Sequence, residues 1–111
     1  MSKVTHDLDL LTQETIQIKI GDRIFEVPAE PKVNFTYKLL NHSKKVKEAE
    51  KRGDFEDAYD ISVDMALDIL NLDENNQIEK QFIIDKFSNS QLTAVIKIYQ
   101  DQAEKNKNNP N

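Results

Sequence analysis

Isoleucine alternates with polar residues near the start of the chain, at Ile16, Ile18 and Ile20. A period of two is typical of a β-strand with one buried face. Gly21-Asp22 follows directly and fits a two-residue hairpin turn, in which glycine supplies a positive φ. We therefore predict a β-hairpin over residues 15–27. The predicted cross-strand pairs are Ile16–Val27, Ile18–Phe25 and Ile20–Arg23 on one face, with Lys19 beside Ile24 on the other.

After Pro31 the apolar residues recur at spacings of three and four, which is the period of an amphipathic helix. Asn34 or Thr36 is the expected N-cap of the first helix. Gly53 fits the end of that helix, and Asp54 fits the N-cap of the next. The predicted helices cover residues 34–52, 55–72, 77–87 and 91–105.

These elements predict an α+β fold in which an N-terminal β-hairpin is followed by a small bundle of about four helices. An isolated hairpin is marginally stable in water, so its apolar face must dock onto the helices. The length of 111 residues fits one small domain. We expect a flexible segment over residues 1–14, a single domain over 15–105 and a disordered tail over 106–111.

The amino-acid composition excludes most kinds of catalytic site. The chain has no Cys, two His and two Gly, which excludes thiol nucleophiles, thiolate metal sites and glycine-rich phosphate loops. His42 precedes Ser43, but adjacent residues of a helix point in different directions and do not form a nucleophile with its base. We expect no enzymatic activity, catalytic residue, metal or cofactor. No apolar run has the length of a membrane span, and the N-terminus lacks an apolar signal region, so we expect a cytoplasmic protein.

Charge is unevenly placed along a chain whose net charge is −5. Residues 32–52 hold seven basic and two acidic residues, whereas residues 54–79 hold nine acidic residues and no Lys or Arg. A basic helix is thus followed by an acidic helix, and two interpretations stay open. The two helices attract each other through weak exposed ion pairs, or one of the faces binds a partner of opposite charge.

Candidate contact residues fall into an acidic set and an apolar set. The aspartates of the second predicted helix follow one side of it, and a straight row of carboxylates diverges instead of converging on a metal ion. Ile84 and Ile98 lie off the apolar faces of their helices, which indicates a second apolar surface. The predicted partner-binding residues are Asp57, Asp60, Asp64, Asp68, Ile84 and Ile98.

A basic patch in the first predicted helix supplies an alternative function. The patch spans Lys44–Arg52 and holds Lys44, Lys45, Lys47, Lys51 and Arg52. It would suit a small nucleic-acid-binding regulator, although the negative charge of the whole chain argues against an ordinary nucleic-acid binder.

The layout over residues 7–103 resembles the small tail assembly chaperones of long-tailed bacteriophages and prophages of Gram-positive bacteria. The segments that carry the resemblance are DLDLLTQ, IQIKIGDRIFEVP and IIDKFSNSQLTAVIKIY. The resemblance implies a non-enzymatic protein in the cytoplasm of a bacterial host cell. Such a protein binds the tape-measure protein and helps to recruit tail-tube subunits. Many members of the family self-associate, so a homo-oligomer is expected. The family supplies no catalytic or binding residue that can be carried over.

Overall fold

The computed structural model describes residues 3–9 and 14–108. It confirms an α+β architecture with a hairpin followed by a helical bundle. Residues 1–2 and 10–13 of the predicted flexible segment, and residues 109–111 of the predicted tail, lie outside the described ranges. The elements in chain order are β1 (Thr15–Ile20), β2 (Arg23–Pro28), α1 (Val33–Lys51), α2 (Phe55–Leu70), α3 (Lys80–Lys86) and α4 (Asn89–Asn108).

The hairpin has the predicted register. Ile16 pairs with Val27 and Ile18 with Phe25, and Gly21 has a φ of 60° in the turn. Alternation places Phe25 and Val27 on the inner face, where both are fully buried. The apolar face of the hairpin therefore forms part of the core, as an isolated two-stranded sheet requires.

Side chains of the loop between α2 and α3 close the outer edge of β2. A carboxylate oxygen of Asp73 accepts a hydrogen bond from the backbone N–H of Glu26 at 2.8 Å. The side-chain amide of Asn76 donates to the carbonyl of Ile24 at 3.0 Å. The hairpin is thus held to the helices by polar bonds along one edge as well as by its apolar face.

The junction between α1 and α2 confirms the sequence prediction. Gly53 has a φ of 75°, a conformation that costs glycine little and that ends α1. The Asp54 side chain accepts a hydrogen bond from the backbone N–H of Asp57 at 3.0 Å and so caps α2. This tight turn folds α2 back along α1 as an antiparallel neighbour.

The start of α1 differs from the prediction. The helix begins at Val33 with Lys32 as its N-cap, and no side chain caps it. Neither Asn34 nor Thr36 is the cap. Asn34 and Thr36 already lie inside the first turn of α1. The Thr36 hydroxyl therefore donates back to the carbonyl of Lys32 at 3.4 Å.

The segment between α2 and α3 is longer than predicted, since α2 ends at Leu70 and α3 begins at Lys80. The Asn71 side chain accepts from the N–H of Ile78 at 2.8 Å and donates to its carbonyl at 3.0 Å. The Gln77 amide donates to the carbonyls of Asn71 and Asp73. These side-chain bonds to the backbone compete with helical bonds and keep the segment as an ordered loop.

The core is built from the hairpin and all four helices. Tyr99, Phe25, Ile69, Leu70, Ile83 and Val27 are its largest fully buried side chains. Edge-to-face aromatic contacts join Phe25 to Phe82 and Phe35 to Tyr99. Within the described ranges, no helix has both the length and the apolar character needed to cross a membrane.

Candidate protein-docking site

The structure distributes the predicted partner-binding residues over separate surfaces. Asp57, Asp60 and Ile84 line one groove between α2 and α3. Asp64 lies next to this groove, where it pairs with Lys80. The remaining two residues, Asp68 and Ile98, lie elsewhere: Asp68 faces α1, and Ile98 lies in a smaller cavity beside β1.

The groove between α2 and α3 is open and has a cavity volume of about 990 Å³. Three of its large apolar side chains are exposed: Phe55 by 68%, Ile84 by 55% and Tyr59 by 48%. Carboxylates surround them, so we call this surface the acidic groove. Its lining residues are Asp54, Phe55, Glu56, Asp57, Tyr59, Asp60, Val63, Lys80 and Ile84.

Local sequence explains the shape of the acidic groove. Because α2 begins at Phe55, residues Phe55 and Tyr59 lie one turn apart on the same side of the helix. The Tyr59 hydroxyl donates to the side-chain carbonyl of Asn89 at the start of α4. The short helix α3 buries Ile83 in the core and leaves the adjacent Ile84 facing outward. The apolar wall therefore comes from two helices that the core holds in place.

Intramolecular ion pairs partly neutralise the carboxylates around the acidic groove. The ammonium group of Lys80 lies 2.6 Å from an oxygen of Asp60 and 3.0 Å from an oxygen of Asp64. The hydrogen bond to Asp60, followed by that to Asp64, raises the pKa of Lys80 above its ordinary value. Arg52 pairs with Asp57 at 3.1 Å. Glu56 forms no ion pair with any described residue, so the groove keeps a net negative charge.

Asp68 of α2 makes its contacts within the protein, with side chains of α1. One of its carboxylate oxygens lies 3.3 Å from the ammonium of Lys38 and 3.1 Å from Nε2 of His42. The other ring nitrogen of His42 is buried without a hydrogen-bond partner among residues 3–9 and 14–102. These contacts fit the interpretation in which the basic and acidic helices attract each other.

The basic patch of α1 is mostly free of such contacts. Lys44, Lys45, Lys47 and Lys51 are exposed and form no ion pair with the part of the chain that the structure describes. Arg52, the last residue of the predicted patch, is the exception because it pairs with Asp57. Four lysines thus remain available to a partner.

Ile98 occupies a separate apolar site. It lines a cavity of about 200 Å³ at the edge of β1, together with Ile18, Ile20, Phe87 and Val95. Ile98 is therefore exposed as predicted, but it does not share a surface with Ile84 or with the aspartates.

Sequence reasoning did not select Phe55 and Tyr59 as contact residues. The helical period gave no signal for them, since Phe55 lies only about 40° around α2 from Ile69, which is fully buried. Their joint role with Ile84 depends on how α3 packs against α2, which a local pattern does not contain.

The acidic groove offers binding chemistry. Its exposed apolar side chains can hold apolar anchors of a partner, and its carboxylates can attract basic residues. No cluster of three or more His, Asp or Glu side chains suited to a metal ion is found within residues 3–9 and 14–102, whose side chains the structure describes. No protein-family model, curated protein or solved structure matches this chain.

Proposed function

We propose that the protein is a non-enzymatic assembly chaperone that binds a helical segment of a long client protein in the acidic groove. The observation that carries this proposal is the exposure of Phe55, Tyr59 and Ile84 side by side in a groove surrounded by carboxylates. A groove of this kind fits an amphipathic helix, whose anchors recur at spacings of three and four.

The partial neutralisation of the groove suits reversible binding. Lys80 and Arg52 offset the charge of Asp60 and Asp57, so the attraction for basic residues of a client is moderate. Charges at the edge of an interface mainly increase the association rate and contribute little to affinity. A client held in this way can be released when its own assembly partner arrives.

The layout of the chain suggests the biological setting of the proposal. The order of hairpin and helices resembles tail assembly chaperones of long-tailed phages, for which the client is the tape-measure protein. The proposed partners are accordingly the tape-measure protein and, during tail assembly, the tail-tube protein.

The test measures binding of the purified protein to segments of the tape-measure protein from the same phage or prophage. Phe55→Ser combined with Ile84→Ser should lower the affinity about tenfold or more, because it removes two exposed apolar anchors. Ile24→Ser is the matched control, since Ile24 is exposed on the hairpin and does not line the groove. An unchanged affinity for the double variant would remove the groove from the proposal.

A second test concerns the charge around the groove, and its expected effect is smaller. Glu56→Gln should slow association a few-fold at low salt, because Glu56 is not neutralised by a described cation. Asp68→Asn should leave client binding unchanged, since Asp68 faces α1. The opposite result, loss with Asp68→Asn alone, would place the client on another face.

A small nucleic-acid-binding regulator is the second candidate function. The observation that favours it is the exposure of Lys44, Lys45, Lys47 and Lys51 without ion-pair partners in the described ranges. Such binding would weaken steeply with added salt, because each neutralised phosphate releases counterions. Titration with duplex DNA and single-stranded RNA at low salt tests it, and absence of binding there eliminates it.

A further inference from the structure

Helix α1 exposes a second surface that the proposed function does not use. Its residues recur at alternating spacings of four and three, so they form one continuous line along the helix. This line, the α1 seam, consists of Val33, Tyr37, Leu40, Lys44, Lys47 and Lys51. The opposite side of α1, which includes Leu39 and Ala49, is buried against the rest of the protein.

The α1 seam has an apolar half and a basic half. Val33 is 74% exposed, Tyr37 70% and Leu40 62%, which is unusual for three large apolar side chains in line. The three lysines that continue the line form no ion pair with described residues. The seam therefore presents apolar anchors and unneutralised positive charge on one helix, which is the chemistry that the acidic groove accepts.

The apolar parts of the two surfaces also match in number. The seam carries three exposed apolar side chains within residues 33–40, and the groove carries three: Phe55, Tyr59 and Ile84. In the groove, Glu56 supplies a carboxylate that is free to meet a lysine of the seam. Apolar contacts and opposite charges can thus be made together.

The seam cannot enter the groove of its own chain. The tight turn at Gly53 joins α1 directly to α2, and the opposite side of α1 packs on the protein, so the seam points outward. We propose that the α1 seam of one copy docks in the acidic groove of a second copy. This inference uses the groove of the proposed function, but it does not depend on the client.

The seam and the groove are different surfaces, which determines the form of the assembly. Two copies that exchange seams give a closed dimer, whereas one-way docking gives a chain of copies. In both forms a client helix and the α1 seam of a neighbouring copy compete for the same groove. Free protein would then shield its apolar groove until a client displaces the neighbour.

Sedimentation velocity over a range of protein concentrations, up to about 0.5 mM, tests the docking. The seam variant is Leu40→Ser with Lys44→Glu, and the groove variant is Phe55→Ser with Glu56→Lys. Each should lower the association constant about tenfold or more relative to the natural chain, because each removes an anchor and reverses a charge. Lys45→Glu is the matched control, since Lys45 lies on α1 away from the seam. All substituted residues are exposed, so each variant should stay folded. Circular dichroism checks this.

Mixing the two variants gives the decisive result. At a concentration near the dissociation constant of the natural chain, each variant alone should be largely monomeric, but an equimolar mixture should associate, because one copy keeps its seam and the other keeps its groove. A natural chain that stays monomeric, a control that weakens association as much as the seam variant, or a mixture that stays monomeric would overturn the inference.

Binding of the tape-measure protein separates this inference from the proposed function. The seam variant keeps its groove, so it should bind the client at least as tightly as the natural chain. Client binding without self-association would overturn the inference and leave the proposed function in place. Self-association without client binding would overturn the proposed function and leave this inference in place.

Discussion

The charged faces of α1 and α2 differ in what their charges contact. Every aspartate of the α2 stripe has a cation nearby: Arg52 for Asp57, Lys80 for Asp60 and Asp64, and Lys38 for Asp68. In contrast, four lysines of α1 have no such partner among the described residues. A sum of charges along the chain therefore indicates which helices attract, but it does not indicate which charges remain for a partner.

The position of each helix in the bundle explains the difference. α2 contacts α1, α3, α4 and β2, so cations from two neighbouring helices reach its polar sides. α1 packs mainly on α2 and presents its other side to solvent. A stripe of like charges on a central helix is neutralised by side chains of the neighbouring helices. The same stripe on an outer helix stays free to bind a partner. Three predictions test this contrast.

Alkaline pH should give the largest effect, because it ionises the buried hydroxyl of Tyr99 and discharges Lys80, the cation that neutralises Asp60 and Asp64 on α2. Burial raises the pKa of Tyr99 to about 12, and hydrogen bonds to Asp60 and Asp64 raise that of Lys80. A raised pKa in the folded state contributes stability that is complete below the unfolded-state pKa and lost as the pH rises through the folded-state pKa. Urea unfolding should therefore show a loss of about 2 kcal/mol in the free energy of unfolding between pH ~10 and ~12.

Tyr99→Phe separates the two contributions. The Tyr99 hydroxyl is buried without a hydrogen-bond partner in the described ranges, so its removal should raise stability at neutral pH by about 1 kcal/mol. The variant should also lose less stability at alkaline pH, and the remaining loss should belong to the lysine ion pairs. An alkaline profile identical to that of the natural chain would contradict the assignment to Tyr99.

Removal of Lys80 should have the next largest effect. Lys80→Met leaves Asp60 and Asp64 unpaired at a spacing of four on α2, where like charges repel. The expected loss is about 1 kcal/mol in the free energy of unfolding, measured by urea unfolding at low salt. The matched control, Lys47→Met on α1, should change stability by less than about 0.3 kcal/mol, because Lys47 has no described partner. Equal losses in both variants would refute the contrast between the helices.

The contact of Asp68 with α1 should give the smallest effect. Asp68→Asn removes the charge that attracts Lys38 and alters the contact with Nε2 of His42, and it should lower the free energy of unfolding by about 0.5 kcal/mol. Added salt should reduce the difference, because partly exposed ion pairs are screened. Glu50→Gln on α1 is the comparison, and it should leave the urea midpoint unchanged. A loss from Glu50→Gln larger than that from Asp68→Asn would contradict the prediction.

The sequence by itself determined the features that depend on neighbouring residues. Alternating isoleucines and the turn at Gly21 were enough to predict the hairpin and its full register. Gly53 and Asp54 were enough to place the junction between α1 and α2. Each of these features depends on a local period, a positive φ or a capping side chain, so a short segment contains all the information required.

Only the tertiary structure decided the features that combine distant residues. The loop before α3 is held by bonds of Asn71 and Gln77 that outcompete helix formation, although the apolar pattern alone favours a longer helix. The acidic groove exists because Ile84 of α3 packs beside Phe55 and Tyr59 of α2. The same packing brings Lys80 to two aspartates about sixteen to twenty residues away along the chain. Pairings over such separations depend on how the helices pack together, which no local period encodes.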